Sequence, residues 1–381
     1  MNASNLPVTA GAITLNRAFG FNPRIAYELL GKTGSIGALF ALSEDKRNAL
    51  LYKHPDYLGK LSNEEFENSL REYDWLRANG ADFICIEDED YPLSLKECED
   101  APLGLYYKSC SKPSDFFAFP MISVVGTRDI STYGREWCPK IIQAIADCPN
   151  RASIVSGLAL GVDIVAHTEA VECGMPSIAV MATGPDDIYP RRHRNFADKL
   201  ASLPYCALLS DYPPLTPPVA LNFIRRNRII AGLSDSVVLV ESSVKGGGMV
   251  TCRQAFSYDR SVYVLPGRLS DVHSEGCNLL VREGIAEIVN SLDDLNQRLG
   301  LGEDVSRRSD RRLESLFAGK LPEEKLRIMT EILNLVRNNW GISVEQIASR
   351  FDCPFRTVSE LVNLLESEGL LKMDLLRRCT I

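Results

Sequence analysis

Short glycine-containing and basic segments recur through the middle of the chain, and their residue types suit the binding of phosphates and bases. Backbone N–H groups of a glycine turn at a helix start hold anionic oxygens, Arg and Lys add positive charge, and aromatic rings stack on bases. This chemistry suits a phosphodiester chain better than a single phosphate. The candidate site residues are Gly126, Thr127, Arg128, Ser156, Gly157, Phe223, Arg225, Arg226, Asn227, Arg228, Lys245, Gly246, Gly247 and Thr251.

The elements that must position these residues follow from the spacing of apolar side chains. Short runs rich in Val and Ile predict strands over 122–125, 153–155, 177–182, 206–209, 237–240 and 262–265. Amphipathic stretches between them predict helices over 135–146, 162–172, 223–233 and 250–258. Buried strands alternating with helices indicate an α/β fold with a doubly wound, mainly parallel sheet. Because the glycine turns follow the strands, they should gather at the carboxyl edge, where such sheets bind ligands.

Several kinds of site are not supported by the sequence. No G-x-G-x-x-G segment opens the first helix and no G-x-x-x-x-G-K-[ST] segment occurs, so neither a dinucleotide cofactor nor ATP hydrolysis is expected. We therefore predict no cofactor and no catalytic residue. The histidines do not pair with cysteines at zinc spacing, so no metal site is predicted, and His193 is expected in a solvated basic loop.

A Rossmann-like enzyme or sensor that acts on a nucleotide derivative remains the alternative prediction. Asp163 and His167 are four residues apart on a predicted helix, and Glu241 follows a strand that ends at the same edge. Together they could perform acid–base work on a nucleotide derivative. For the first two we favour local hydrogen bonding that fixes the turn after the second of the predicted strands, because this is the commoner use of such a pair. A nucleotide-cleaving site would also show a compact constellation around one ligand, whereas the basic residues here are spread over several loops, which favours a polymer.

Composition narrows the class of protein. The chain has 381 residues and a formal charge of −8, which argues against a polybasic coat for nucleic acid. Residues 1–119 carry 12 basic and 18 acidic residues, a net of −6, so most of the acidity lies away from the candidate site. Eleven cysteines without a C-x-x-C pair indicate reduced thiols in a cytoplasmic protein. Neither a membrane-spanning helix nor a signal peptide is expected.

The sequence divides into four predicted segments. Residues 1–80 form a small helical module of sterile-alpha-motif or helix-hairpin-helix type, and residues 81–297 form the sheet domain. A linker over 298–321 leads to a winged helix-turn-helix over 322–381, where Ser343 and Gln346 have the spacing of a capping box. An apolar set near the end of the sheet domain is equally compatible with a dimer interface and with ordinary core: Leu279, Leu280, Ile285 and Ile288.

Several motifs in this order resemble those of the DNA-processing protein A family, also called Smf. They read VVGTRDISTYG, SGLALGVDIVAHTEA, TGPDDIYP, FIRRNRIIAGLS, VVLVES, VYVLPGR and SEGCNLLVREG, and they span residues 122–284. The resemblance implies an extended Rossmann-like domain that binds single-stranded DNA. It also implies a homodimer that protects incoming DNA in natural transformation and helps load the RecA recombinase during DNA recombination.

The resemblance also assigns positions in this sequence. It implies that Gly126 and Arg128 form the G-x-R turn, that 226–228 form the R-N-R element, and that Phe223 stacks on a base. Lys245 lies in the family's Gly-rich loop, where Gly246 stands at the usual serine position. Tyr189, Pro190 and Asn195 are spaced more widely than the family's Y-P-x-x-N segment.

Overall fold

The computed structural model describes residues 6–301, 313, 316–317, 320–339, 342–351, 353–374 and 377–380. The chain divides into two compact units, Met1–Leu301 and Gly302–Ile381. The predicted boundary at residue 80 lies inside the first unit, and most of the predicted linker lies outside the described residues. The four predicted segments therefore stay predictions.

The described part of the first unit is built on a sheet of nine strands in the order β1-β2-β6-β5-β4-β3-β7-β8-β9. The strands from β3 onward pair in parallel, whereas β1 and β2 form an antiparallel edge beside β6. In chain order they are β1 (Asp82–Cys85), β2 (Gly104–Lys108), β3 (Met121–Val125), β4 (Ser153–Ser156), β5 (Ser177–Val180), β6 (Ala207–Ser210), β7 (Ser236–Leu239), β8 (Ser261–Val264) and β9 (Glu287–Ile288).

Helices cover the sheet and connect its strands. In chain order they are α1 (Leu6–Phe19), α2 (Pro23–Thr33), α3 (Ile36–Phe40), α4 (Glu44–Leu50), α5 (Asn63–Ala78), α6 (Leu93–Lys96), α7 (Pro113–Phe116), α8 (Thr132–Ala146), α9 (Val162–Glu172), α10 (Arg194–Ala201), α11 (Ala220–Leu233), α12 (Gly247–Ser257), α13 (Glu275–Arg282) and α14 (Leu292–Arg298). The predicted α/β fold with a mainly parallel sheet is confirmed.

The strand order explains where a ligand site can form. From β3 the chain adds β4, β5 and β6 on one side, then returns to place β7 on the other side of β3. The loops after β3 and β7 therefore leave the sheet toward opposite faces and open a crevice between them, as doubly wound sheets do at their switch point. Strands β4 to β7 are buried at every residue, which explains their unbroken apolar runs.

The strand β2 (Gly104–Lys108) was not predicted. It pairs with both β1 and β6. Sequence periodicity did not reveal it because Leu105 and Tyr106, which point to opposite faces, are both fully buried. The Tyr106 ring packs edge-on against Phe83 of β1, with 4.9 Å between ring centroids.

The N-terminal helices share the core of the first unit. Thr14 of α1 donates a hydrogen bond of 2.9 Å to Ser69 of α5. Asn16 of α1 donates one of 2.8 Å to the main-chain carbonyl of Asp211, which follows β6. These contacts join the N-terminal helices to the segment that follows β6. Their assignment to the sterile-alpha-motif or helix-hairpin-helix class stays a prediction.

The second unit has a core of its own. Its helices are α15 (Glu323–Asn338), α16 (Val344–Ala348) and α17 (Phe355–Ser367), and a small antiparallel sheet joins β10 (Ile342–Ser343), β11 (Lys372–Met373) and β12 (Arg378–Thr380). The capping box is confirmed: the Ser343 hydroxyl accepts from Gln346 N at 3.3 Å and the Gln346 side chain accepts from Ser343 N at 3.1 Å. The winged-helix class stays a prediction.

None of the helices in the described part of the chain is long and apolar enough to cross a membrane.

Candidate nucleic-acid interface

A cleft of about 570 Å³ opens at the switch point of the sheet, above the ends of β3, β4 and β7. The loops after these strands and the first turns of α11 and α12 form its walls. The structure brings nine of the fourteen candidate residues into the lining: Gly126, Thr127, Arg128, Phe223, Arg226, Asn227, Gly246, Gly247 and Thr251.

The turn after β3 needs glycine for steric reasons. A Cβ on Gly126 would lie 2.5 Å from Val162 Cγ2 and 2.9 Å from the Glu241 carbonyl oxygen, so any larger residue would push the cleft wall outward. Thr127 N donates to the same carbonyl at 2.8 Å, and its hydroxyl accepts from Asp129 N at 3.1 Å. The turn is thereby fixed, and Arg128 projects from it into solvent.

Arg128 and two aromatic rings form a stack at the cleft mouth. The Arg128 guanidinium carbon lies 4.9 Å from the centroid of the Phe223 ring, and the Tyr189 ring lies 5.4 Å from Phe223 at a steep angle. Tyr189 is 43% exposed. A guanidinium presented beside ring faces is the combination that binds a phosphate and an adjacent base.

The N-terminus of α12 forms the opposite wall. The first N–H groups of an α-helix lack partners within the helix and carry partial positive charge. Here Gly246, Gly247 and Gly248 line the cleft. The N–H of Gly246 is already taken by the Ser243 carbonyl at 2.9 Å, which leaves those of Gly247 and Gly248 in the first helical turn for a ligand. Asn227 Nδ2 donates to the Gly247 carbonyl at 3.3 Å, which holds this turn against α11. Thr251 lies one turn further along and also lines the cleft.

Arg226 lies in the floor of the cleft and is only 3% exposed. Its guanidinium donates to the Gly157 carbonyl at 2.6 Å and to the Val180 carbonyl, which ties the ends of β4 and β5 together. Its pKa is lowered to about 10, chiefly by burial; Asp163 opposes this shift and the nearby Arg128 contributes to it. The side chain supplies positive charge beneath the cleft while its hydrogen bonds serve the fold.

Five candidate residues lie outside the lining. Ser156 donates to the Val124 carbonyl at 2.7 Å, and Gly157 lies against the Arg226 guanidinium. Arg228 forms a buried ion pair of 2.7 Å with Asp211. Arg225 stacks on Phe21 from the N-terminal helices, 4.1 Å from the ring centroid, and Lys245 is exposed in the loop that precedes α12.

Some residues that line the cleft were not among the predicted DNA-binding residues. Tyr189 and Ile224 flank Phe223 on the exposed side, and Ala159 and Pro218 complete the rim. Tyr189 lies in the connection that follows a strand of the sheet, as the glycine turns do. This position is the sequence signal that could have identified Tyr189 as a cleft residue. The expectation for His193 was wrong: the ring is buried, with Nδ1 2.9 Å from the Leu158 carbonyl oxygen.

The side chains required by the enzyme alternative have structural partners. Asp163 accepts from Ala159 N at 3.3 Å, and His167 Nδ1 lies 2.8 Å from the Ser177 hydroxyl, which confirms local hydrogen bonding for both. Glu241 is fully buried and accepts hydrogen bonds from the main chain and hydroxyl of Ser131 at the start of α8. Asp163 borders the cleft, where burial raises its pKa and Arg226 opposes that shift.

Buried His167 predicts a pH-dependent stability. Burial lowers its pKa to about 3, against about 6.5 in an unfolded chain, so between these values the unfolded state binds the extra proton. The contribution of the neutral His167 side chain to the free energy of unfolding is fully present above pH 6.5. As the pH falls from 6.5 toward 3, the free energy of unfolding decreases by about 1.4 kcal/mol per pH unit. We expect urea unfolding at pH 7, 6, 5 and 4 to show that the free energy of unfolding falls more steeply with decreasing pH for the native chain than for His167→Gln. Equal slopes would contradict this role.

Fold and cleft together define a doubly wound, Rossmann-like α/β protein with a cleft at its switch point that is lined by an arginine, aromatic rings and a helix N-terminus. Comparison with known proteins then gives the family. Residues 82–300 match the model of the DNA recombination-mediator protein A family, and the chain belongs to that family.

Curated relatives and solved structures agree with this assignment. The chain is 39% identical over 210 residues to DNA processing protein DprA of Streptococcus pneumoniae, covering 55% of this chain and 71% of the relative. It is 36% identical to protein Smf of Escherichia coli, covering 60% and 59%. The X-ray structure of the S. pneumoniae protein superposes with a TM-score of 0.62 at 30% identity, covering 76% of this chain and 97% of that one.

A second solved structure is that of DNA processing protein A from Helicobacter pylori, which describes a single-stranded DNA binding mode of that protein. Its TM-score is 0.50 at 28% identity, and the match covers 57% of this chain and 95% of that one.

Proposed function

We propose that the protein binds single-stranded DNA in the cleft at the switch point. The observation that carries this proposal is the stack of Arg128, Phe223 and Tyr189 opposite the N-terminus of α12. Helix N–H groups and Arg128 hold backbone phosphates, while the rings take the faces of bases. The single-strand binding described for the H. pylori relative supports the same ligand.

Single strands suit this cleft better than duplexes. Ring stacking requires bases that are unpaired and free to leave their neighbours, and the contacts available here are backbone N–H groups, one exposed guanidinium and ring faces. In the proposed mode these groups contact phosphates and ring faces and not base edges, so binding should be strongly dependent on salt and weakly dependent on sequence.

The family assignment supports a larger role for this binding. We infer that the protein protects incoming single strands in natural transformation, acts as a homodimer and helps load the RecA recombinase for recombination. Its eleven cysteines are all free thiols, which agrees with a place in the reducing cytoplasm. The role is that of a binding protein and not of an enzyme.

The four apolar residues predicted as either core or dimer interface occupy different environments. Leu280 is fully buried in the core, Leu279 and Ile285 pack partly buried against it, and Ile288 is 38% exposed. A Leu280→Arg variant would therefore unfold the domain whatever its oligomeric state. Sedimentation of an Ile288→Arg variant is the better test of this surface as part of the proposed dimer.

Binding of labelled oligonucleotides tests the proposed function. We expect fluorescence anisotropy to show tight binding of a dT oligonucleotide, at least tenfold weaker binding of a duplex of the same length, and no turnover of added nucleotides. Raising the salt concentration should weaken binding along a straight log–log line. Equal affinity for both forms, or nucleotide turnover, would contradict the proposal. RecA filament assembly on the same oligonucleotide, with and without the protein, tests the loading role separately.

A further inference from the structure

A second stacked pair lies beside the cleft, on the N-terminal helices. Phe21 occupies the turn between α1 and α2, and the guanidinium of Arg225 on α11 lies 4.1 Å from its ring centroid. Arg225 directly follows Phe223 and Ile224, which line the cleft. The pair therefore borders the cleft, although Phe21 itself belongs to a segment that the family match over 82–300 does not include.

Exposure distinguishes Phe21 from a ring that packs for stability. Its relative exposure is 63%, whereas Phe19, two residues earlier, is 1% exposed and belongs to the core. A ring left this exposed contributes little apolar burial to folding. The centroid of the Tyr212 ring lies 6.1 Å from that of Phe21. The Phe21 ring is therefore in contact with a neighbouring ring while a large part of its own surface stays in water.

Arg225 is available to a ligand. Among the described residues no carboxylate lies within ion-pair distance of it and no hydrogen bond involves its guanidinium. Two neighbouring side chains on the same helix are also accessible to a ligand: Ile224 is 51% exposed and Leu221 is 50% exposed. Arg225 and the exposed aliphatic side chains thus continue from the cleft along α11, and the Phe21 ring of the neighbouring turn lies against Arg225.

We propose that Phe21 and Arg225 form a second nucleotide subsite, in which the strand leaving the cleft crosses Ile224, stacks a base on Phe21 and places a phosphate on Arg225. The inference rests on the proposed single-strand binding. It gives the N-terminal helices a direct part in holding the strand, with base faces and phosphate as the recognised chemistry.

Oligonucleotide length separates this subsite from the cleft. We expect Phe21→Ala in the full chain to weaken binding of long dT oligonucleotides, such as dT20, by about tenfold. Binding of the shortest oligonucleotides that the native chain holds should be unchanged. Phe21→Leu keeps the apolar bulk without the ring and should show the same loss. Arg225→Gln should flatten the salt slope for dT20 by about 0.7, the value for one phosphate of a single strand.

Control variants distinguish a nucleotide subsite at Phe21 from a general effect of removing an exposed ring. Tyr52→Ala removes another exposed ring of the N-terminal helices, 69% exposed and flanked by Lys32 and Lys53, and should leave binding unchanged. Phe223→Ala should weaken binding at every length. Native affinity of Phe21→Leu and Phe21→Ala for dT20 would overturn the subsite and leave the surface to a protein partner, while the cleft would stand. An equal loss in Tyr52→Ala would also overturn it. A native chain that binds no single strand would overturn the proposed function itself.

Discussion

Replacing Arg128 by alanine is expected to weaken single-stranded DNA binding by about ten- to a hundredfold while the protein stays folded. The side chain is exposed and extends from a turn that is fixed by backbone hydrogen bonds, so its removal leaves no buried group unpaired. A charge-assisted contact to a phosphate contributes about 1.5–3 kcal/mol, which gives this range. Phe223 would lose the cation over its ring as well. Anisotropy titrations with a labelled dT oligonucleotide would measure the change.

The salt dependence of the same titrations tests the reason for the loss. One phosphate contact fewer should reduce the log–log slope by about 0.7. Arg253→Ala is the matched control, because Arg253 lies on α12 but is paired with Glu283 at 2.7 Å and does not line the cleft. It should bind like the native chain. If Arg128→Ala kept native affinity and native slope, the cleft would not be the site of phosphate binding.

The sequence predicted the frame of this site well because its signals are local. Val- and Ile-rich runs gave the parallel strands, and a steric need for glycine at Gly126 marks a turn that approaches a neighbouring backbone. The tendency of ligand-binding loops to gather at the carboxyl edge of such a sheet then predicted that the loops after β3 and β7 lie together. Strand β9, with only two residues, Glu287 and Ile288, leaves no periodic signal and was not predicted.

The roles of individual arginines could not be predicted in the same way. Arg225, Arg226 and Arg228 are nearly consecutive in sequence, and each looks like a candidate phosphate ligand. On a helix, successive residues point about 100° apart, so one stacks on Phe21, one enters the cleft floor and one is buried beside Asp211. Which face of the helix contacts which neighbour depends on segments that are far away in sequence. A local motif contains no information about those segments.

The largest stability effect is expected for Arg228→Ala. The Arg228 guanidinium donates to Asp211 Oδ2 at 2.7 Å and to the Asp100 carbonyl, with side-chain exposures of 9% and 5% for the ion pair. Burial disfavours the charged guanidinium, but Asp211 and Asp100 outweigh this and raise its pKa. Removing one partner leaves a buried carboxylate unpaired, which costs about 3–5 kcal/mol of unfolding free energy. Urea unfolding at pH 7 measures this loss.

Two comparisons make the Arg228 result specific. Arg24→Ala removes an ion pair with Glu99 whose side chains are 69% and 80% exposed, and should cost less than about 1 kcal/mol. The double variant Arg228→Met with Asp211→Leu removes both charges and should recover much of the lost unfolding free energy, since a buried pair replaced by apolar residues is often neutral.

At a temperature where Arg228→Ala is folded, its affinity for single strands should lie within about twofold of native, because the side chain does not line the cleft. A folded Arg228→Ala protein with markedly weaker binding would place Arg228 among the phosphate ligands, and the buried pair would then have to open when DNA binds.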